Sequence, residues 1–454
     1  MRRSSQPDEP RVKLTKWQRF VTDVLRPVKF SVVTQATRGR DAVPHGLQGA
    51  ADPHFACALR NFSAMFPHPR FGGGALAVYL DGQPVVDVWT GWSDRRGRQR
   101  WSADTGAMVF SATKGVASTV IHRLVDRGLI DYDAPVAEYW PEFAANGKAG
   151  ITVRDMMQHR AGLAHLHGVR RRDLLNHLAM EERIAAAAPG RNFGKPAYHA
   201  LTYGWLLSGL ARAVTGIGMR ELIRTEVAEP LNTDGIHLGR PPAGAPTKAA
   251  SIIGPQMNIP NPFFNTIAPR VAAFELSAIF GSMYFPGMRS TVQGAMPLLD
   301  AELPAANGIA TARSLARMYG AIANGGEIDG KRYLSAELVA GLTGRRNLTP
   351  DRNLVLPLAF HLGYHALPIP GLLPGFGHVG LGGSLGWAVP EAGLSFSFVH
   401  NRLLTPFVLA DQAGFVTTAA LIRRGAAAAR KHGFEPVTEF GARFPASASG
   451  VVAG

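Results

Sequence analysis

The stretch GAMVFSATKGVAST, residues 106–119, places a serine, Ser111, three residues before a lysine, Lys114. An apolar run leads into the serine, and small residues that suit a helix follow it. Residues three apart on a helix share one face, so the hydroxyl and the amine would be close enough to touch. A lysine in a site that excludes water can lose its proton and activate such a hydroxyl. The alternative interpretation makes Ser111 a helix cap and leaves Lys114 in solvent.

The composition indicates a large globular protein outside the disulfide-rich class. The chain has 454 residues, of which 46 % are hydrophobic, enough for a large core. Its single cysteine, Cys57, excludes an intramolecular disulfide and most cysteine metal sites. The N-terminus lacks the continuous apolar stretch of a secretory signal, and no apolar run is long enough to cross a bilayer. We therefore expect a cytoplasmic protein.

The charge is strongly basic, with a net charge of +15 and a pI near 10.3. Of the 48 basic residues, nine are lysines and 39 are arginines. They are spread along the chain and do not form stripes with aromatic residues, and no nucleic-acid-binding motif accompanies them. The sequence is compatible with attraction to anionic surfaces and predicts no nucleic-acid partner.

A basic N-terminal extension over residues 1–50 precedes the main domain. In KLTKWQRFVTDVLRPVKF, residues 13–30, apolar residues recur at helical spacing among lysines and arginines. One interpretation is a helix over 11–30 that contacts an anionic membrane peripherally. The other is a helix that packs on the protein's own surface.

Strand patterns occur towards both ends of the main domain. Two β-rich runs flank Asp81-Gly82, a strong hairpin signal, and the helix after Ser111 is predicted to end at Gly128. Near the C-terminus, GGSLGWAVPEAGLSFSFVHNR (382–402) predicts a second hairpin that turns at Pro390–Gly393.

Helical patterns dominate residues 151–300. Within them, residues 251–288 are rich in Phe, Pro and Met without a clean period, which fits either an apolar pocket wall or lid, or a buried core segment. A helix over 409–432 and a flexible tail over 436–454 end the chain.

Strand patterns towards both ends of the main domain, with helical patterns between them, predict an α+β fold. We expect an antiparallel sheet from both chain ends, flanked by helices, with an inserted, mostly helical subdomain. The expected catalytic domain spans 51–435. Its α/β part covers about 60–150 and 300–435, and the insertion covers about 151–300.

Three motifs in this order resemble those of the serine β-lactamase and penicillin-binding-protein superfamily. They are Ser111-x-x-Lys114, Tyr198-His199-Ala200 after a Pro-Gly turn, and His378-Val379-Gly380 just before the last hairpin. The branch they are most similar to holds class C β-lactamases and the related family VIII carboxylesterases. The resemblance runs from about residue 71 to residue 432, and it implies a β-lactamase/transpeptidase-like fold.

The resemblance implies an acyl-enzyme mechanism. Ser111 would attack an acyl carbonyl and Lys114 would ease the loss of the serine proton. Tyr198 would act as phenolate or as proton relay. The backbone N–H groups of Ser111 and Leu381 would form an oxyanion hole, where Gly380, Gly382 and Gly383 allow close approach of the backbone. This chemistry needs neither a metal nor an organic cofactor.

Two departures from the family pattern bear on the substrate. Relatives carry Lys or His in the third motif, and His378 supplies less positive charge for a substrate carboxylate than a lysine would. Ala200 stands where class C relatives carry an asparagine, whose side chain is a polar amide. Both favour a small carboxylic ester with an apolar acyl group, and therefore a serine esterase or lipase-like hydrolase. Alternatives are β-lactamase or D-Ala-D-Ala peptidase-type activity, and a catalytically inactive binding homologue.

A rival nucleophile lies in Gly382-Gly383-Ser384-Leu385-Gly386, which matches the Gly-x-Ser-x-Gly elbow of α/β-hydrolase lipases. Asp411 and His432 follow it in that fold's chain order. The elbow requires a helix after the serine, but here Pro390 interrupts a pattern of strand, turn and strand. We therefore predict that Ser384 is not catalytic.

Overall fold

The computed structural model describes residues 46–165, 169, 173–253, 297–343, 351–354, 358–367, 373–403 and 408–444. The predicted amphipathic helix over 11–30 lies outside them, as does most of the apolar stretch over 251–288.

The strands in the described residues are β1 (Gln48–Ala51), β2 (Gly73–Leu80), β3 (Gln83–Gly91), β4 (Thr105–Met108), β5 (Ile236–Leu238), β6 (Lys248–Ala249), β7 (Gly308–Ala310), β8 (Glu327–Ile328), β9 (Lys331–Arg332), β10 (Ala359–His361), β11 (Tyr364–Ala366), β12 (Phe376–Val379), β13 (Leu385–Val389) and β14 (Leu394–His400). The α-helices are α1 (Ala56–Ala64), α2 (Thr113–Asp126), α3 (Val136–Tyr139), α4 (Val153–Met157), α5 (His177–Ala186), α6 (Thr202–Thr215), α7 (Met219–Leu222), α8 (Ala312–Ala323), α9 (Ala336–Leu342) and α10 (Val408–His432).

An eight-stranded antiparallel sheet joins the two ends of the domain, in the order β1-β3-β2-β14-β13-β12-β11-β10. The N-terminal and C-terminal strands meet in the pairing of β2 with β14, which sets Leu80 opposite Leu394 and Gly74 opposite His400. The predicted sheet built from distant parts of the chain is confirmed.

Both predicted hairpins are present. The turn between β2 and β3 has positive φ at Asp81 (52°) and Gly82 (75°), the combination that a tight hairpin turn requires. The turn between β13 and β14 ends at Gly393, also with positive φ (46°). The helix after Ser111 also ends as predicted, since the N–H of Gly128 closes its last turn on the carbonyl of Val125.

Helices cover both faces of this sheet because its strands alternate in which face they bury. Along β2, Ala75, Ala77 and Tyr79 belong to the core that includes α2, α6 and α8. The alternate residues Leu76, Val78 and Leu80 belong to the core shared with α1 and α10.

The chain between α2 and β7 is mostly helical in its described part, in agreement with the predicted insertion. It carries α3 to α7 and the two short strands β5 and β6. Those strands join β4 and β7 in a second, four-stranded sheet with the order β5-β7-β4-β6. This small sheet matters for function because Ser111 follows β4 directly.

Residues 433–444 follow α10 without helix or strand and are fastened to the domain. The N–H of Phe440 donates to Asp87 Oδ2 at 2.7 Å, and Glu439 pairs with Arg317 Nη1 at 3.1 Å. This segment falls largely within the tail that the sequence predicts to be flexible. The structure differs there because Glu439 and Phe440 reach buried partners.

Candidate active site

Ser111 lies where strand β4 gives way to helix α2. The N–H of Val109 donates to the carbonyl of Gly308 in β7 (2.9 Å), which fixes the end of the strand. Phe110 then adopts a positive φ of 47°, uncommon for a residue with a bulky side chain. A single 3-10 turn, Phe110–Ala112, leads into α2, so the serine stands at the start of a helix as predicted.

Lys114 is fully buried. Its Nζ donates to Ser111 Oγ at 3.1 Å and to the carbonyl of Ala305 at 2.9 Å. Burial lowers the pKa of the amine well below its usual value, and no carboxylate among the described residues pairs with it. The interpretation that leaves this lysine in solvent is therefore wrong, and the geometry favours a neutral amine beside the hydroxyl.

Tyr198 completes the group. Lys114 Nζ lies 4.9 Å from the centroid of the Tyr198 ring, which stacks on Phe360 with centroids 5.6 Å apart. Burial raises the pKa of the Tyr198 phenol, and a hydrogen bond with Ser111 partly offsets this. Of the two roles predicted for Tyr198, a neutral proton relay therefore fits the site better than a phenolate.

The third motif lies on β12, next to the other two. His378 is 1 % exposed, and its Nδ1 donates to the carbonyl of Val379 (3.1 Å). Burial lowers the pKa of His378 well below its usual value, and His365 and Lys114 add to this. His378 is therefore a neutral imidazole, and its Nε2 finds no hydrogen-bond partner among the residues that the structure describes.

Two backbone amides are available to bind an oxyanion. In the part of the chain that the structure describes, neither the N–H of Ser111 nor that of Leu381 donates a hydrogen bond. Leu381 begins a 3-10 turn that continues through Gly382 and Gly383, which have φ of 87° and 106°. Glycine suits these positions because residues with side chains rarely adopt such angles.

Ser384, the rival nucleophile, does not belong to the group of side chains around Ser111. It is 1 % exposed, and its Oγ accepts the N–H of His400 on the neighbouring strand (3.2 Å). Strand β13 follows it, where a nucleophile elbow would need a helix. His432 is exposed and stacks on His54, and the side chain of Asp411 lies outside the described ones.

Some residues at the site carry no sequence signal. The carbonyl of Ala305 accepts from Lys114, and its loop is held by Asn307, whose Nδ2 donates to the carbonyls of Leu298 and Ala301 (2.7 and 2.8 Å). Phe360 supports the Tyr198 ring and, with Ala200, forms an apolar cluster around it. A backbone carbonyl and packing partners distant in sequence have no motif that could reveal them.

Within the described ranges, no group of three or more possible metal ligands lies together. In the same part of the chain, no helix is both long and apolar enough to cross a bilayer. The contact of residues 11–30 with a membrane stays a prediction.

Comparison with known proteins agrees with this fold. Residues 58–420 match the β-lactamase family. The chain is 67 % identical over 407 residues to the esterase/β-lactamase LipL of Mycobacterium tuberculosis (strain ATCC 25618 / H37Rv), an alignment that covers 89 % of this chain and 94 % of that protein.

Solved structures with the same architecture include a family VIII carboxylesterase, with a TM-score of 0.70 and 30 % identity over 83 % of this chain and 99 % of that one. A penicillin-binding protein homologue from Caulobacter crescentus has a TM-score of 0.69 and 29 % identity, and covers 82 % of this chain and 99 % of its own. The chain therefore belongs to the β-lactamase family, and it is a serine hydrolase of that superfamily.

Proposed function

We propose that this protein hydrolyses carboxylic esters through an acyl-enzyme formed on Ser111. The observation that carries the proposal is the buried amine of Lys114, 3.1 Å from the Ser111 hydroxyl and without a carboxylate partner among the described residues. A neutral amine in that place can accept the serine proton, which the hydroxyl must lose to become a nucleophile.

Acylation then follows from the positions of the side chains. Ser111 Oγ attacks the ester carbonyl carbon as its proton passes to Lys114. The negative charge that develops on the carbonyl oxygen would be stabilised by the N–H groups of Ser111 and Leu381. Tyr198 donates its phenolic proton to the departing alkoxide and regains one from the Lys114 ammonium, so that an alcohol leaves and both groups return to their neutral forms.

Deacylation uses the same groups in reverse. A water molecule attacks the acyl carbon as Tyr198 takes its proton and passes its own phenolic proton to the neutral Lys114. The Lys114 ammonium then protonates Ser111 Oγ as that oxygen leaves the acyl carbon. The products are a carboxylic acid and the free enzyme. Because burial raises the pKa of Tyr198, its phenol stays protonated between these transfers.

The chemistry around the nucleophile favours uncharged esters. His378 is buried and its pKa is lowered, so it offers little positive charge to a substrate carboxylate. Ala200 and Phe360 surround Tyr198 with apolar surface, which suits an apolar acyl group. The names of the relatives, an esterase/β-lactamase and a carboxylesterase, support ester hydrolysis as the reaction class.

A panel of p-nitrophenyl esters of increasing acyl length tests the proposal on the wild type, Ser111→Ala and Ser384→Ala. We expect Ser111→Ala to lose several orders of magnitude in kcat and Ser384→Ala to keep its activity. An inactive Ser384→Ala beside an active Ser111→Ala would refute the assignment. The β-lactam nitrocefin, assayed in parallel, tests the alternative β-lactamase activity, and turnover of nitrocefin without ester turnover would favour that alternative.

A further inference from the structure

Tyr198 lies in a segment without regular secondary structure, since residues 196–199 form neither helix nor strand. A phenol that relays protons must be held in place closely, because a shift of about 1 Å at a reacting group can cost about 100-fold in rate. The groups that hold the backbone of Tyr198 therefore matter for its side chain.

One side of the segment is held by His159. The N–H of Ala197 donates to the carbonyl of His159 (3.0 Å), and the N–H of His199 donates to its Nδ1 (3.1 Å). These bonds fix the two neighbours of Tyr198, but they leave the N–H and carbonyl of Tyr198 itself to other partners.

Those partners come from a short segment more than 150 residues away in sequence. Asn353 Nδ2 donates to the carbonyl of Tyr198 at 2.9 Å. Burial raises the pKa of Asp351, and the backbone N–H groups of Leu354, Asn353 and Tyr198 lie close enough to its carboxylate to counteract this. Asp351 and Asn353 thus face the two polar backbone groups of a single residue.

The same segment organises itself locally. Asp351 Oδ1 accepts the N–H of Asn353 (2.9 Å) and the N–H of Leu354 (2.8 Å), a turn that fixes the position of Asn353 relative to Asp351. A turn of this kind works equally well on a protein surface. Its role in local structure therefore does not explain why it is buried.

Burial of this turn is costly. Asp351 is 2 % exposed and Asn353 is fully buried, yet Asp351 Oδ2 and Asn353 Oδ1 find no hydrogen-bond partner among the described residues. Buried polar atoms without partners lower stability and call for an explanation beyond stability. Contact with the backbone of Tyr198 supplies such an explanation for the burial of this turn.

We propose that Asp351 and Asn353 are positioning residues, which hold the backbone of Tyr198 so that its hydroxyl stays against Ser111 and Lys114. The proposal rests on the proposed function of Tyr198 as a proton relay. Neither residue touches the reacting atoms, so both act through Tyr198 alone.

Two nearly isosteric substitutions test it. Asp351→Asn keeps an oxygen for the turn but sets an amide N–H against the N–H of Tyr198. Asn353→Asp sets a carboxylate oxygen against the carbonyl of Tyr198. Each replaces an attractive contact with a repulsive one, so we expect kcat for a p-nitrophenyl ester to fall about 10–100-fold while KM changes less than about threefold. If either variant fails to fold, Asn353→Ala takes its place in the test, because it only removes the Nδ2 donor to the carbonyl of Tyr198.

Asn401→Asp is the matched control. Asn401 is also buried (4 % exposed), and its Nδ2 donates to the carbonyls of Trp92 and Ser251 (3.1 and 3.0 Å). We expect this variant to lose stability but to keep kcat within about threefold of the wild type. An equal fall of kcat in Asn401→Asp, or an unchanged kcat in all folded variants at 351 and 353, would overturn the proposal.

Crystal structures of the variants give a readout that needs no substrate. A Tyr198 hydroxyl displaced from Ser111 supports the positioning role, and an unmoved hydroxyl refutes it. If the wild type hydrolyses none of the esters while the variants displace Tyr198, the proposed function fails and the positioning role stands.

Discussion

Gly380 lies so close to Val109 that a β-carbon at position 380 would stand 2.0 Å from the Val109 carbonyl oxygen. The end of strand β12 is thereby pressed against the segment that leads into Ser111. Leu381, whose N–H is one of the two proposed oxyanion donors, follows Gly380 directly. Because residue 380 has no side chain, the backbone after β12 can approach the segment that carries Ser111 this closely.

Gly380→Ala should therefore impair catalysis more than substrate binding. The new methyl group must push the backbone of β12 away from Val109, which moves the N–H of Leu381 relative to the acyl carbonyl. We expect kcat for a p-nitrophenyl ester to fall at least about tenfold, since loss of an oxyanion donor typically costs about 10²–10³-fold. Gly150→Ala is the control, because a β-carbon there meets no atom within 4 Å. Equal kcat values for the two variants would contradict this account.

Lys114→Met should abolish activity and raise stability at neutral pH. Loss of a general base costs about 10²–10⁴-fold in rate. Burial lowers the pKa of Lys114 in the folded protein, so at pH 7, where the unfolded chain carries a charged amine, folding pays for a site that disfavours this charge. That cost disappears in the methionine variant. It also shrinks in the wild type as pH rises towards about 10.4, the pKa of an unfolded lysine.

Urea unfolding at pH 7 and pH 10 checks the sign of this difference in stability between Lys114→Met and the wild type. We expect the free energy of unfolding of Lys114→Met to exceed that of the wild type at pH 7, with a smaller difference at pH 10. Lys114→Arg is the matched variant, because its guanidinium stays protonated; it should be inactive and less stable than the wild type. A Lys114→Met protein that is less stable than the wild type at pH 7 would mean that the lysine is charged in the folded state.

Local patterns in the sequence predict much of this site and fold. The spacing of Ser111 and Lys114 predicts one helical face, and the structure places their side chains in contact. Asp81-Gly82 predicts the β2–β3 hairpin because few residues other than Gly, Asn and Asp adopt positive φ easily. Each of these signals depends on residues within a few positions of one another.

Features that depend on distant contacts could not be predicted. Ala305 contributes only a carbonyl oxygen, which every residue has. Asp351 and Asn353 meet Tyr198 only because the fold brings them together, and their sequence context is that of an ordinary turn. The predicted tail over 436–454 is rich in Ala, Gly and Ser, a composition that favours a flexible segment. Its first residues are nevertheless held by buried partners in the sheet and in α8.

Buried histidines should make the protein sensitive to acid. Burial lowers the pKa of His122, His199 and His400 to about 3 each. Since an unfolded histidine has a pKa of about 6.5, the unfolded state binds more protons between pH 6.5 and 3. Their contribution to stability is complete above pH 6.5 and is lost as pH falls, by about 2 kcal/mol for each histidine at pH 5.

Urea unfolding at pH 7.5, 6.5, 5.5 and 4.5 measures this loss, and calorimetry in buffers of different ionisation enthalpy counts the protons taken up on unfolding. We expect uptake of more than two protons near pH 5. A free energy of unfolding that stays constant from pH 7.5 to 4.5 would show that these histidines titrate normally in the folded protein.

Removal of the segment after α10 should destabilise the fold, whereas removal of the residues beyond it should not. A chain that ends at residue 433 loses Glu439, which contacts Tyr79 and the buried Arg317. It also loses Phe440, whose ring packs on Trp89 with centroids 5.4 Å apart. Loss of one partner from a buried ion pair costs about 3–5 kcal/mol, so we expect a lower thermal midpoint.

A chain that ends at residue 444 is the control, because it keeps all of these contacts and should unfold at the wild-type temperature. Glu439→Gln tests how much of this effect comes from the ion pair. It retains the shape of the side chain but removes the charge that pairs with Arg317. We expect it to reproduce part of the fall in thermal midpoint. None of the contacts described for this segment involves Ser111, Lys114 or Tyr198, so kcat of each folded variant should match the wild type at 25 °C. Equal thermal midpoints for the chains that end at 433 and 444 would show that the segment adds nothing to stability.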